Sequence, residues 1–187
     1  MNDRQLIPTL RTERLVLRGV TEDDAESYAR HFVDYEVIRH LSASVPWPFP
    51  DDGIRTFIRD RVLPAQGRDR WVWGLHLKDG GGLMGAIDLW REPCPENRGF
   101  WLGRAFWGHG YMTEAVIVVT DFAFQELGFD RLVFASAVGN RRSHTIKAKT
   151  GATLVEVVPA KFVDPAYSQH EIWRLTKQQW LEWRGRP

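Results

Sequence analysis

Two glycines that flank a histidine form the segment of this sequence best suited to bind an anion. Gly108-His109-Gly110 follows Arg98–Leu102, which predicts a strand, and precedes residues 112–127, which predict a long amphipathic helix. Glycine lets the backbone approach a ligand closely, and the free N–H groups and dipole of a helix N-terminus favour anions. The spacing therefore predicts a phosphate-binding turn, with a plain tight turn as the alternative.

Two common kinds of phosphate-binding motif are absent from the sequence around this turn. The chain contains no GxxxxGK[ST] loop of the type that cradles nucleoside triphosphates. A dinucleotide fingerprint requires a third glycine, and that position holds Thr113. The turn therefore predicts an anion site of a different type.

Three sequence blocks follow one another along the chain. They are TERLVLR at residues 12–18, RGFWLG followed by FWGHGYMTEA within residues 98–115, and the pattern NxxSxxIxxKxG at residues 140–151. Together they resemble the GNAT superfamily of acyl-CoA-dependent N-acyltransferases, and more narrowly its ribosomal-protein N-terminal acetyltransferase (RimJ/RimL-type) branch. Each block alone is a modest match, but three in register across most of the chain make a specific one.

The resemblance implies a fold and an acyl donor. The fold is a single mixed α/β (α+β) domain over residues 1–187, with a central, mostly antiparallel twisted sheet, a V-shaped parallel splay and helices on both faces. The donor is acetyl-CoA, with its pantetheine arm along residues 100–103 and its pyrophosphate on N–H groups of residues 107–113. The implied cofactor-binding residues are Trp101, Leu102, Gly103, Trp107, Gly108, His109, Gly110, Tyr111, Met112, Thr113, Asn140 and Ser143.

The implied chemistry is direct attack of an amine on the thioester, which requires no covalent enzyme nucleophile. The resemblance assigns Ser143 as proton donor to the departing thiolate, with a role as N-cap of the following helix as the alternative. Asn140 either bonds pantetheine or shapes its turn. A base must also remove a proton from the amine. The candidates are Glu96 first, then Asp88, His76 and Glu171.

The acceptor is expected to be a primary amine, and three hypotheses remain open. The first is the N-terminal amine of a protein or peptide. The second is a small amine such as an aminoglycoside, a polyamine or an amino acid. The third is a non-catalytic CoA-binding or interaction module. Its support is that the family often has an acidic residue where this chain has Asn97. The neighbouring Glu96 is shifted by one residue, which would place its side chain on the opposite strand face.

A loop rich in proline and aromatic residues completes the expected site. Trp47-Pro48-Phe49 lies within residues 44–50, which hold three prolines and therefore predict an ordered loop. By the resemblance this loop flanks the acceptor, and the alternative is a hydrophobic plug under the helices. A wide acidic groove beside it would favour polycationic small molecules, whereas a narrow slot would favour a peptide end.

Hydrophobic periodicity predicts the element order β α α β β β α β α β β α. The predicted strands cover residues 14–18, 71–77, 83–90, 98–102, 132–137, 153–158 and 171–175, and the predicted helices cover 24–32, 51–61, 112–127, 141–149 and 176–184, with a helical turn or two at 34–41. Thr21 and Asp24 predict a capping box, and Gly128 a helix end. Ile54, Phe57, Ile58 and Arg61 are predicted on the inner side of the second helix.

Composition excludes several other classes. The 187 residues are 43% apolar, enough for a substantial core, and carry 25 basic against 24 acidic residues. This balance argues against nucleic acid as the main partner. The sequence has one cysteine, Cys94, which can form no internal disulfide. Residues 1–11 are polar and therefore predict no signal peptide. No run of ~20 apolar residues is present, so no membrane span is predicted. We therefore expect a cytoplasmic monomer or homodimer without a metal site.

Overall fold

Two antiparallel sheets form the framework of the computed structural model, which describes residues 7–92 and 96–185. The first sheet has the order β1-β2-β3-β4-β5, and the second has the order β6-β8-β7. The strands are β1 Leu10–Arg11, β2 Leu15–Gly19, β3 Arg70–Leu77, β4 Gly85–Trp90, β5 Arg98–Leu102, β6 Arg131–Ala137, β7 Thr153–Pro159 and β8 Gln169–Thr176. The predicted strands are confirmed, and the two-residue β1 was not predicted.

Helices cover both faces of the five-stranded sheet, as expected. They are α1 Ala25–Phe32, α2 Tyr35–Ile38, α3 Gly53–Phe57, α4 Tyr111–Gln125, α5 Arg141–Lys149 and α6 Lys177–Arg184, with 3₁₀ turns at Glu22–Asp24 and Arg104–Phe106. In the part of the chain that the structure describes, no helix combines the length and apolar character that crossing a membrane requires. The chain therefore folds as a single α/β domain of layered helices and sheets.

The core is divided by the five-stranded sheet. On one face, Ala115 and Val119 of α4 belong to the same buried apolar cluster as Trp73 and Leu75, which share a face of β3, and the Trp73 ring packs edge-on against Phe122 of α4 at 5.6 Å. On the other face, α1 to α3 cover the sheet, and Tyr28 of α1 accepts a 2.9 Å hydrogen bond from the indole N–H of Trp101. β5 is therefore held from both faces, which fixes the strand that borders the candidate site.

The second predicted helix is irregular, and one of its predicted inner residues is wrong. α3 ends at Phe57, and the chain continues as a π-helical turn over Ile58–Val62. Ile54 and Ile58 are buried as predicted, but Arg61 is exposed and Val62 is buried instead. The wider π turn rotates the next side chains relative to an α-helix, so a pattern of 3.6 residues per turn misplaces the last inner position.

β5 and β6 meet at one point and separate beyond it. The Asn97 N–H donates to the Val133 carbonyl (3.0 Å), and the Val133 N–H donates to Asn97 Oδ1 (2.7 Å). Past this junction the two strands belong to different sheets, and both run away from it toward their C-terminal ends. The expected V-shaped splay is therefore present, and the side chain of Asn97 joins its two arms at the closed end.

Candidate active site

A cleft of about 760 Å³ fills the splay between β5 and β6. Its walls are β5, β6, the N-terminal turn of α4, and one face of α5, and it continues to α2 and the segment that follows it. A cleft of this size, with apolar walls and a few polar groups, is the usual form of a site for small molecules.

The predicted anion-binding turn forms one end of the cleft. Gly108 and Gly110 both have φ of +81°, a conformation that side-chain-bearing residues rarely adopt, and a Cβ at Gly108 would meet nothing within 4 Å. The Glu114 N–H donates to the Gly110 carbonyl at 3.1 Å, so the first N–H groups of α4, at residues 111–113, have no partner within the helix. These groups line or border the cleft and are suited to bind a phosphate.

The first sequence block holds this turn in place. The Glu114 carboxylate accepts hydrogen bonds from the Thr12 hydroxyl, from the Arg14 N–H (2.9 Å) and from Arg14 Nε (2.8 Å). The Arg14 guanidinium also donates to the His109 carbonyl (2.9 Å) and lies 4.6 Å from the Tyr111 ring centroid. Two of the three motifs found in the sequence therefore meet at the start of α4.

Most of the predicted cofactor-binding residues line the cleft. Those in its walls are Trp101, Leu102, Trp107, Gly108, Gly110, Tyr111, Met112, Thr113, Asn140 and Ser143. Gly103 and His109 lie outside the lining. Gly103 bonds the Met84 carbonyl, and a Cβ there would lie 2.9 Å from His31, whereas the His109 ring stacks on Tyr111. Close packing against His31 therefore accounts for Gly103, and the stack on Tyr111 accounts for the position of the His109 ring.

Ser143 lies at the wall of the cleft, one turn into α5. The N-cap of this helix is Asn140, whose Oδ1 accepts a hydrogen bond from the Ser143 N–H (3.3 Å). The alternative that Ser143 is the N-cap is therefore wrong, and Asn140 does shape the turn. The Ser143 hydroxyl accepts a 2.7 Å hydrogen bond from Lys147 Nζ, which leaves its own hydrogen available to a ligand.

Glu96 is the one of the four candidate bases that lines the cleft. Its Oε2 is buried and has no hydrogen-bond partner among the described residues. Burial raises the pKa of this carboxyl, the nearby Asp88 raises it further, and Lys147 acts in the opposite direction. A carboxylate with a raised pKa and a free oxygen in a cleft has the properties of a general base.

The other three candidate bases have partners or positions elsewhere. Asp88 forms an ion pair with Arg70 at 2.5 Å, and Glu171 accepts hydrogen bonds from the indole N–H of Trp173 (3.0 Å) and lies 3.1 Å from His144 Nδ1. His76 Nε2 is buried and has no partner in the described part of the chain, but it lies outside the cleft. Burial and the charge of Arg18 lower the pKa of His76.

Two buried cations at the floor of the cleft were missed by the sequence analysis. Lys147 is 1% exposed, and burial, aided by the charge of Arg98, lowers its pKa to about 7. Arg98 is 3% exposed, and burial lowers its pKa to about 9. The sequence contains a signal for each of them. Lys147 lies four residues after Ser143 and therefore on the same face of the helix. Arg98 lies two residues before Phe100 and four before Leu102, so it shares a strand face with these two apolar residues.

The far end of the cleft, beyond the splay, carries little net negative charge. Glu36 and His40 line it, and Glu36 is paired with Arg39 at 3.0 Å. Arg39 also pairs with Asp164 at 2.7 Å. The carboxylates near this end therefore already have a guanidinium partner.

The aromatic loop, residues 44–50, reaches the cleft through Ser44, whereas Trp47 and Phe49 lie outside the cleft lining. Phe49 packs edge-on against Phe32 of α1 at 5.7 Å, as a hydrophobic plug does. Trp47 is 43% exposed and lies beside Tyr35 at the start of α2. The plug interpretation therefore holds for Phe49, whereas Trp47 presents an aromatic surface near the far end of the cleft.

Both the sequence and the fold of this chain match known acetyltransferases. The profile of the acetyltransferase (GNAT) domain matches residues 14–153. FsC-acetyl coenzyme A-N(2)-transacetylase of Aspergillus fumigatus is 26% identical over 93% of this chain and 78% of its own. Two solved structures share the fold of this chain. The ribosomal-protein-S5-alanine acetyltransferase of Vibrio fischeri matches with a TM-score of 0.77 and 18% identity, over 93% of this chain and 99% of its own. RimJ of Mycobacterium smegmatis, in complex with CoA-disulfide, matches with a TM-score of 0.75 and 18% identity, over 91% of this chain and 88% of its own.

Proposed function

Because the chain belongs to the GNAT acetyltransferases, and is thus an acetyl-CoA-dependent N-acetyltransferase, we propose that its acceptor is the α-amino group of a protein or peptide. The observation that carries this proposal is the cleft, which continues from the α4 N-terminus, through the splay, to α2. A donor entering at α4 and an acceptor entering at α2 would meet inside the splay. The fold shared with a ribosomal-protein-S5-alanine acetyltransferase supports this acceptor class.

The donor half of the proposal rests on three features. The first N–H groups of α4 would hold the pyrophosphate, and the glycine turn before them leaves room for it. β5 is the edge strand of its sheet and faces the splay, so its free backbone groups can bond the pantetheine arm as an added strand would. Arg142, stacked 3.8 Å from the Trp107 ring centroid at the rim, adds positive charge beside the phosphates.

The catalytic part of the proposal assigns Glu96 as proton acceptor and Ser143 as proton donor. Glu96 accepts the proton that the amine must lose, because its buried Oε2 has no hydrogen-bond partner among the described residues. The amine nitrogen bonds to the carbonyl carbon of the thioester, and the carbon–sulfur bond breaks. Ser143 donates its hydroxyl proton to the departing sulfur, and Lys147, 2.7 Å away, replaces that proton. One proton leaves the amine and one reaches the thiol, so the step balances.

The charge at the acceptor end favours a single amine over a polycation. The carboxylate of Glu36, which lines this end, is neutralised by Arg39. A polyamine or aminoglycoside carries several positive charges and would need free carboxylates, whereas Glu36 and the nearby Asp164 are already paired with Arg39. A peptide N-terminus brings one charge, and it must lose that charge before it attacks.

The test is an acetylation assay that follows thiol release from acetyl-CoA. Peptides with a free α-amino group are compared with the same peptides blocked at that group but retaining a lysine side chain. We expect turnover with the free peptides alone and the acetyl group on the α-nitrogen by mass spectrometry. Ser143→Ala should abolish most turnover, whereas Ser168→Ala, at an exposed serine outside the cleft, should not. Turnover with the blocked peptides would contradict the proposal.

A small-molecule amine is the second candidate acceptor. It is favoured by the similarity to FsC-acetyl coenzyme A-N(2)-transacetylase, which extends over 93% of this chain. The same assay with amino acids, polyamines and aminoglycosides decides between the two classes. Turnover with one of these amines, and none with any peptide, would replace the first proposal by the second.

A further inference from the structure

Arg98 is a buried cation whose hydrogen-bonding capacity is largely unused. Its Nη1 donates a long hydrogen bond to the Thr120 hydroxyl (3.3 Å), and its guanidinium carbon lies 3.6 Å from the Phe134 ring centroid. Its Nε and Nη2 are buried and have no partner in the described protein. A guanidinium normally uses these two groups as a fork for a carboxylate or phosphate.

No carboxylate of the described residues forms an ion pair with Arg98. Burial lowers the pKa of Arg98 to about 9, so the guanidinium still carries its charge at neutral pH. The second buried cation, Lys147, has the same sign, and its charge is partly offset by Glu171 and Glu96, whereas no such carboxylate acts on Arg98 among the described residues. A buried charge without a counter-charge is costly, so this part of the cleft favours an anion.

Ser136 provides a second unpartnered group on the same wall. It lies two residues after Phe134 on β6, hence on the same strand face, and its buried hydroxyl has no partner within residues 7–92 and 96–185. Apart from His76 Nε2, every buried side-chain nitrogen or oxygen without a partner in the described residues belongs to this cleft, namely to Glu96, Arg98 and Ser136. Such clustering indicates a site built for polar atoms of a ligand.

The position of Arg98 relative to the donor decides which ligand atoms reach it. With the phosphates at the α4 N-terminus, a pantetheine arm along β5 runs from Leu102 back toward Arg98. Ser143 marks the sulfur, and Lys147 lies one helical turn further along α5. The acyl group attached to that sulfur is therefore the part of the donor that extends toward the floor of the cleft.

We propose that Arg98 and Ser136 form a carboxylate-binding subsite, and that the enzyme uses, besides acetyl-CoA, acyl-CoA donors whose short acyl chain ends in a carboxylate. The inference rests on the donor arrangement of the proposed function. The transfer step is the same: the amine nitrogen bonds to the thioester carbonyl carbon, the carbon–sulfur bond breaks, the amine loses one proton and the thiolate gains one. The terminal carboxylate takes no part in the step and remains on the N-acyl product.

The experiment is calorimetric titration of the full chain with CoA, acetyl-CoA, butyryl-CoA and succinyl-CoA. Butyryl and succinyl chains have the same number of carbons and differ in the terminal carboxylate. We expect succinyl-CoA to bind roughly tenfold or more tightly than butyryl-CoA, because hydrogen bonds to a buried charge are strong. Arg98→Met should remove this preference, whereas Arg174→Met, at an exposed arginine of β8, should retain it.

Equal binding of succinyl-CoA and butyryl-CoA to the unaltered protein would overturn the inference, and this comparison needs no variant. Failure of CoA and acetyl-CoA to bind would instead overturn the donor arrangement itself. If Arg98→Met does not fold, Arg98→Lys keeps the charge without the fork and should reduce the preference.

A carboxylate can also come from the acceptor, and a second arm separates the two sources. With acetyl-CoA as donor, amino acids are compared with their amides for thiol release. A preference for free amino acids that Arg98→Met removes, without any succinyl preference in the titration, would assign Arg98 to the acceptor and overturn the donor subsite.

Discussion

The buried charges of this protein fall into two groups that differ in their partners. Outside the cleft, Asp24 is held by both terminal nitrogens of Arg18 (2.9 and 2.7 Å), and Asp88 is paired with Arg70. At the floor of the cleft, Arg98 has no acidic partner among the described residues, and Lys147 bonds only the neutral Ser143 hydroxyl there. The same sheet carries both kinds of charge.

This difference separates structural charges from charges available to a ligand. A buried ion pair compensates its own desolvation, so it contributes to stability and its loss is felt in folding. A buried cation or carboxylate without a partner weakens the fold and is retained where it meets a ligand. The comparison predicts that changes outside the cleft alter stability, whereas changes at its floor alter activity and binding.

The largest expected effect is on catalysis, from Glu96→Gln. Loss of a general base typically costs 10²-fold or more, so we expect kcat/KM to fall about 100-fold with little change in the free energy of unfolding. Burial raises the pKa of Glu96, and a base acts when ionised, so the activity of the unaltered enzyme should rise with pH through this raised pKa. The variant should lose that limb of the pH profile.

The control for this change is Glu92→Gln, at an exposed glutamate four residues earlier in the chain. It should leave both the rate and the pH profile unchanged. A Glu96→Gln variant with full activity would remove Glu96 as base and would leave its unpartnered oxygen without a role in the reaction.

The next largest effect is on stability, from Asp24→Asn. Burial opposes ionisation of Asp24, but the hydrogen bonds from Arg18 and from the Thr21 N–H outweigh it and lower the pKa. The stabilisation is therefore present above the unfolded value near 4 and is lost as the pH falls through the lower folded pKa. We expect a loss of about 1–3 kcal/mol at pH 7, measured by urea unfolding.

The difference between Asp24→Asn and the unaltered protein should shrink as the pH falls below about 4, and it should vanish once the pH has passed the lowered folded pKa, where the unaltered carboxylate is also protonated. Asp23→Asn, at the exposed neighbouring position, serves as the control and should change stability by less than about 0.5 kcal/mol. Equal losses for the two variants would mean that the ion pair does not stabilise this end of α1.

A smaller effect on activity is expected for Lys147→Met. Burial, followed by the charge of Arg98, lowers the pKa of Lys147 to about 7, so its proton is present below that pH and lost above it. If this proton is passed to Ser143, activity should fall as the pH rises through about 7. The variant should be roughly tenfold slower and should lose this alkaline limb, which stopped-flow or steady-state pH profiles would measure.

Lys149→Met, at an exposed lysine of the same helix, should retain both the rate and the alkaline limb. A slower Lys147→Met variant that keeps the limb would show that Lys147 only supports the wall of the cleft and does not supply a proton.

The smallest effect on stability is expected for Arg98→Met. Removal of an unpaired buried charge relieves a desolvation cost, so the free energy of unfolding should stay within about 1 kcal/mol or increase. Urea unfolding of the variant measures this directly. A loss beyond about 2 kcal/mol would mean that Thr120 and Phe134 hold Arg98 as a structural residue, and the two groups of charges would no longer differ.

Much of the fold and one end of the site were predicted from local patterns. The turn at residues 107–110, the helix that follows it and the β3–β4 hairpin all depend on residues close together in the chain, and all are confirmed. The π turn after α3 was missed, because the wider turn moves Val62 into the position expected for Arg61. The floor of the cleft was also missed, although Arg98 and Lys147 stand in elements whose bounds were predicted closely.

The sequence by itself determined where the chain turns, where α4 begins and which residues can carry an anion there, because glycine conformation and helix-end N–H groups act over a few residues. The tertiary structure alone decided that Glu96, Arg98, Ser136 and Lys147 line one cleft. These residues come from two strands, a loop and a helix, and their burial depends on how the β5 and β6 arms separate from the Asn97–Val133 junction. Charge and burial combine only after that packing, so no local pattern contains the result.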